Sequence, residues 1–181
     1  MRGRRLLIGL GVLAVAGVAA LVAWDVVKLD RTIPALAPAD QQATRIVVEK
    51  SARKLTLLRP DRALRTYDVS LGSAPLGHKQ QEGDGRTPEG LYAIDFKNAR
   101  SRFHLSLRVS YPGPQDQADA QRRGVPPGGD IMIHGLPRGL GWLRDIHLLR
   151  DWTDGCIAVT KREIEEIWSL VAAGTVVEIK P

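Results

Sequence analysis

Asp151-Trp152-Thr153-Asp154-Gly155-Cys156-Ile157-Ala158-Val159-Thr160 is the stretch on which the reading of the whole chain turns. Ile157-Ala158-Val159 is a short apolar run of strand character. Thr160 follows it, with Glu163 three residues on, the reciprocal pattern of a capping box that opens a helix. Ile164, Ile167, Trp168 and Val171 then fall at helical spacing, and Gly174 ends the segment. A strand running directly into an amphipathic helix predicts a sheet with that helix packed on it. Cys156, behind Gly155, sits at the mouth of the strand, where a side chain is both exposed and rigidly held.

Outward from this stretch the pattern is mainly β. Residues 45–49 and 54–58 are apolar runs separated by the polar turn Lys50-Ser51-Ala52-Arg53, which predicts a hairpin. Residues 64–71 alternate in part, with Tyr67 and Val69 on one face, and end at Gly72. Residues 91–96, 106–110, 131–134 and 176–179 read as further strands. Tyr111-Pro112-Gly113-Pro114 and Pro126-Pro127-Gly128-Gly129 mark loops, and residues 116–123 between them read as a short polar helix. The expected domain, 44–181, is long enough for one hydrophobic core and too short for two.

The N-terminus predicts the compartment. Arg2, Arg4 and Arg5 precede an uncharged apolar run from Leu6 to Trp24, about long enough to cross the ~30 Å hydrocarbon core as a helix. Arginines before the span and a polar domain after it orient the chain N-in and C-out. Residues 1–27 therefore read as a cytoplasmic n-region and signal anchor in a bacterial inner membrane, and 28–43, with Pro34 and Pro38, as a linker. Small residues such as Ala14-Val15-Ala16 leave cleavage as the alternative. Either way the domain is expected in the periplasm or on the outer face of the membrane. The net charge is +6, but three of those charges are Arg2, Arg4 and Arg5, so the domain itself is mildly basic. That is no nucleic-acid footprint.

Cys156 is the only cysteine, so in an exported chain it closes no intramolecular disulfide. It is either an inert buried residue or a nucleophile. A nucleophilic thiol needs a base, usually histidine. Of the four histidines, His134 ends the strand Ile131-Met132-Ile133 and precedes Gly135, a glycine expected to let a ligand approach. His78 falls in a glycine- and charge-rich loop and is expected to be solvent-exposed. His104 alternates with Phe103 and Leu105 as a strand residue facing water, and His147 lies in the segment wrapping between His134 and Cys156. A zinc site from His134, His147, Cys156 and Asp154 matches no common module, so no metal or cofactor is expected. Gly83-Asp84-Gly85-Arg86-Thr87-Pro88 lacks the pattern of a P-loop or an EF-hand and reads as a turn shaping one wall of a cleft.

Ile133-His134-Gly135, a loop, then Thr153-Asp154-Gly155-Cys156-Ile157 resembles the active-site signature of the L,D-transpeptidase (YkuD-type) family. Gly83 to Tyr92, with Thr87-Pro88-Glu89-Gly90, resembles the same family's Thr-Pro-x-Gly-x-Tyr/Phe segment, and Val69-Ser70-Leu71-Gly72 its preceding strand end. The resemblance covers about residues 45–180. It implies a β-sandwich or barrel with one packed C-terminal helix, and a cysteine enzyme acting on peptidoglycan stem peptides. By that resemblance Cys156 is the nucleophile that releases D-Ala and forms a thioacyl-enzyme, and His134 is the general acid/base. Gly155, Thr153 and Gly135 would shape the site, with oxyanion donors on the backbone around Gly155 and Cys156. The acyl acceptor would be an amine from a second stem or from a wall-attached protein.

Two departures stand out. Family members commonly carry Arg or Asn where this chain has Ala158, so any substrate-binding role of that side chain is absent or moved, with Arg138, Arg144 and Arg150 as candidates. The segment from His134 to Cys156 is long for the family and carries Trp142, His147 and Trp152, as a substrate platform or as packing. Three functions follow: transpeptidation, hydrolysis of the same acyl-enzyme as a carboxypeptidase or amidase, and a non-catalytic wall-binding module. The presence of both His134 and Cys156 argues against the third.

Overall fold

The computed structural model describes residues 33–137, 139 and 146–181. The apolar N-terminal run, and with it the expected anchor, lies outside the described residues. Among those that are described, no helix is long and apolar enough to cross a membrane. Eight strands and two helices follow in the order β1 Arg45–Glu49, β2 Lys54–Leu58, β3 Ala63–Asp68, β4 Gly90–Asn98, β5 Ser106–Val109, α1 Pro114–Arg123, β6 Met132–His134, β7 Ile157–Ala158, α2 Lys161–Leu170 and β8 Val176–Lys180.

The strands form one sheet in the order β3-β2-β1-β8-β4-β5-β6-β7. The predicted hairpin is the β1–β2 pair, in register from Arg45–Leu58 to Glu49–Lys54. β8 closes the chain yet lies in the middle of the sheet, parallel to β1 and antiparallel to β4. Its alternation puts Val177 and Ile179 in the core and Val176 and Lys180 outside. The β4–β5 pairing slips between Ile94 and Phe96. Such a bulge adds local twist and bends the sheet, here into a half-barrel. Beyond β3 the chain crosses to the opposite edge, where Ser70 and Ala158 exchange backbone hydrogen bonds of 3.0 and 2.8 Å.

Helix α2 packs on the core of the sheet. Its capping box is formed as the sequence predicts: the Glu163 amide donates to Thr160 Oγ1 at 3.3 Å, and the Thr160 amide donates to Glu163 Oε2 at 2.8 Å. Ile164, Ile167 and Trp168 are buried from it, each contributing about 1.5–3 kcal/mol of apolar burial. The helix stops at Leu170, with Val171 already extended, short of the expected Gly174. The Lys97 ammonium explains the early end, because it takes the carbonyls of Trp168 and Val171 at 2.6 and 2.7 Å. Burial lowers its pKa to about 8. The second helix, α1, is the polar segment seen in the sequence and buries only Ala120.

Of the segment read as a linker, residues 34–43 hydrogen-bond to the domain. The Ala37 amide reaches the Ser169 carbonyl, and Ala43 that of Leu170, both at 2.8 Å.

Candidate active site

Two strand ends make the site. β6 and β7 pair in parallel, with Ile133 opposite Ile157 and His134 opposite Ala158. Cys156, one residue before β7, therefore falls beside Met132, one strand repeat from His134. Two residues more than twenty positions apart in the chain become neighbours on adjacent strands.

The thiol is half-exposed at this edge. Its sulfur accepts the Met132 amide at 3.4 Å and faces the Asp130 carbonyl, to which it donates, at 3.6 Å. Asp130 holds a left-handed φ of 52°, a conformation that costs energy outside glycine and sets the direction of that carbonyl. Burial pushes the Cys156 thiol up from its ordinary pKa, partly offset by the Met132 hydrogen bond. The charges of Asp154 and Asp130 push the same way as burial, and that of Lys79 opposes them.

His134 is buried, at 2 % exposure. Its Nδ1 lies 2.7 Å from the Gly135 carbonyl. A carbonyl only accepts, so Nδ1 carries the proton, and the lone pair is on Nε2. The ring packs at 4.3 Å between centroids on Phe103 and meets the edge of Trp152 at 5.9 Å. Desolvation brings its pKa down to about 4, against the raising effect of the Gly135 hydrogen bond. At rest the thiol and the imidazole, one strand repeat apart, are accordingly both neutral. Desolvation penalises the charged form of each, of the buried imidazole and of the half-exposed thiol.

The loop before Cys156 is held on three sides. Thr153 Oγ1 donates to the Cys156 carbonyl at 2.7 Å and accepts the Gly155 amide at 3.2 Å, which folds Thr153–Cys156 into a closed turn. Asp151 takes the Leu71 amide at 2.9 Å with one oxygen and Arg53 at 2.8 Å with the other. From behind, the Arg86 carbonyl lies where a Gly155 Cβ would be, at 2.6 Å, and Gly155 has φ of 126°. Arg86, at the start of the Arg86-Thr87-Pro88 stretch, thus forms the back wall of the nucleophile turn. Lys50, buried, fastens that wall by donating to the carbonyls of Gly77 and Thr87 and to Glu89 Oε1 at 2.6, 3.0 and 2.7 Å.

Several sequence expectations need correction here. The missing side chain of Gly135 makes room for Ile164, 2.8 Å from a Cβ placed there, and for the Phe103 carbonyl, so it admits helix α2 rather than a ligand. His78 is half-buried rather than solvent-exposed, accepting the Glu89 amide at 3.0 Å and lying 3.0 Å from Asp116. His104 is buried with φ of 70° ahead of β5, its Nε2 2.7 Å from Glu165, so it is no water-facing strand residue. His147 is buried, its carbonyl accepts Ser70 Oγ at 2.8 Å, and its charge, when present, acts on His134. Arg138, Trp142 and Arg144 lie outside the described residues. Among the described residues no group of three or more histidine, cysteine or carboxylate side chains is arranged to hold a metal.

Phe103, Lys50 and the Met132 amide are invisible to sequence reasoning. Each acts through a partner distant in the chain, and no spacing rule links them.

The model of the YkuD family, described as the L,D-transpeptidase catalytic domain, matches residues 43–179. YafK of Escherichia coli is 28% identical over 115 residues, which cover 62% of this chain and 39% of YafK. The chain thus spans about two-fifths of the length of that curated relative. Among solved structures, the helical cell shape determining protein Pgp2 from Campylobacter jejuni superposes with a TM-score of 0.60 at 23% identity, over 83% of this chain and 52% of Pgp2. The L,D-transpeptidase from Mycobacterium smegmatis gives 0.50 at 14% identity, over 76% and 58%. These likenesses share the half-barrel fold.

Proposed function

The chain belongs to the YkuD family of L,D-transpeptidase catalytic domains, and from that premise we propose that it transfers acyl groups of peptidoglycan stem peptides through a Cys156 thioester. One observation carries the reading. The Nδ1–Gly135 hydrogen bond leaves the lone pair of His134 on Nε2, and the strand register sets Cys156 one repeat away, which supports base and nucleophile roles for the two.

In the first half-reaction Sγ attacks the carbonyl of the diamino acid and its proton passes to His134 Nε2. The oxyanion is met by the Cys156 amide, since the Gly155 amide is already given to Thr153. Collapse breaks the bond to D-Ala, whose nitrogen takes the proton from His134. In the second half an acceptor amine attacks the thioester, gives its proton to His134, and the thiolate leaves and is reprotonated. Because charge is costly at both groups at rest, the proton moves with the bond-making rather than before it. The domain is proposed to work on the outer side of a bacterial inner membrane, held there by residues 1–27.

The test is mass spectrometry of stem tetrapeptides incubated with the protein. Wild type is expected to release D-Ala and give cross-linked dimers, and Cys156→Ala to give neither while keeping its circular dichroism spectrum. D-Ala release without dimers would assign hydrolysis instead. Full activity of Cys156→Ala would overturn the reading.

A further inference from the structure

We propose that Arg102 is the docking cation for a carboxylate of the acyl donor, held at the rim of the site by the same ring that supports His134. This rests on the stem-peptide reading for the identity of the donor. The subsite itself stands on the following geometry.

Ala158 is fully buried, and its backbone is bonded in both directions to Ser70. No charged side chain from that position is available to orient a substrate. Meanwhile the exposed Asp130 and Asp154 flank the nucleophile, and both oppose negative charge there. An anionic peptide nearing Cys156 needs a compensating cation. Most nearby cations are already engaged: Lys79 by Asp84, Arg53 by Asp151, Arg108 by Asp95 and Lys50 by Glu89.

Arg102 is different. It is exposed, and among the described residues no carboxylate pairs with it. Its Cζ lies 5.6 Å from the centroid of Phe103, whose ring is 4.3 Å from that of His134. The guanidinium and the imidazole therefore share Phe103 as a common neighbour. A cation resting on an aromatic ring keeps its N–H edge free, and that edge is the fork that takes a carboxylate in two parallel hydrogen bonds. The ring contact restrains the charge at low entropic cost, since Phe103 is itself packed on His134.

The single cysteine allows a test on the full chain that does not depend on turnover. Cys156 is alkylated with 3-maleimidopropionate and, in parallel, with its neutral carboxamide, and the ratio of the two rates is read. Arg102→Gln is expected to lower the anion-to-neutral ratio about fivefold at low salt, with Arg102→Lys keeping most of it and Arg62→Gln, in the exposed turn between β2 and β3, leaving it unchanged. The neutral reagent should react equally with all four proteins, which reports an intact site. An unchanged ratio in Arg102→Gln overturns the proposal. A lowered ratio with no stem-peptide turnover by wild type keeps the anion subsite and overturns the stem-peptide reading, and turnover with an unchanged ratio does the reverse.

Discussion

At the scale of single residues the site is governed by dryness. His134 holds its pKa near 4, well below the usual imidazole value of about 6.5, and the Cys156 thiol is raised. A depressed imidazole is neutral, and so a base, at every pH above about 4, while a raised thiol stays protonated through neutrality. Alkylation of Cys156 by iodoacetamide should then climb steadily from pH 6 to beyond 9. A plateau between pH 5 and 8 would instead reveal a preformed thiolate–imidazolium pair. Gly155 is the other sensitive position, because it combines φ of 126° with the Arg86 carbonyl where its Cβ would stand. Gly155→Ala should keep the domain folded at a lower melting temperature and cut the alkylation rate at least tenfold by displacing the Cys156 turn. A rate equal to wild type would show that the turn tolerates the shift. Both catalytic candidates were legible in the sequence as His134-Gly135 and Gly155-Cys156. The reasons for the two glycines were not, since their close neighbours, Ile164 and Arg86, come from other elements.

At the scale of elements, local chemistry is strong where it is contiguous. The Thr160–Glu163 box starts α2 where the sequence places it, and its removal by Thr160→Ala should cost about 1 kcal/mol, seen as a melting temperature lower by a few degrees. An unchanged melting temperature would mean that packing of Ile164, Ile167 and Trp168 alone fixes the start. The end of α2 was misjudged because its C-terminal carbonyls are taken by Lys97, from β4, more than seventy residues upstream. His104 shows the same limit. Alternation of Phe103, His104 and Leu105 resembles a strand, yet the left-handed φ at His104 and its contact with Glu165 of α2 keep it ahead of β5. Periodicity reports which side chains can share a face. It is silent on which element arrives to cover them.

At the scale of the whole molecule the fold depends on its last strand. β8 pairs with β1 on one side and β4 on the other, so it joins the two halves of the half-barrel. Deleting residues 176–181 would strip both neighbours of their partner and expose Val48, Ile46 and Ile94, all fully buried. The truncated chain should lose its cooperative thermal transition, whereas a retained transition would mean that β1 and β4 can pair directly. The sequence by itself determined the strands, the capped helix, and His134-Gly135 and Gly155-Cys156 as candidate chemistry, because each is written in residues a few positions apart. Only the tertiary structure decided that β8 is central, that the Arg86 carbonyl backs the nucleophile turn, and that Phe103 packs on His134. Those contacts join residues tens of positions apart through sheet order and close approach, and neither leaves a period in the chain.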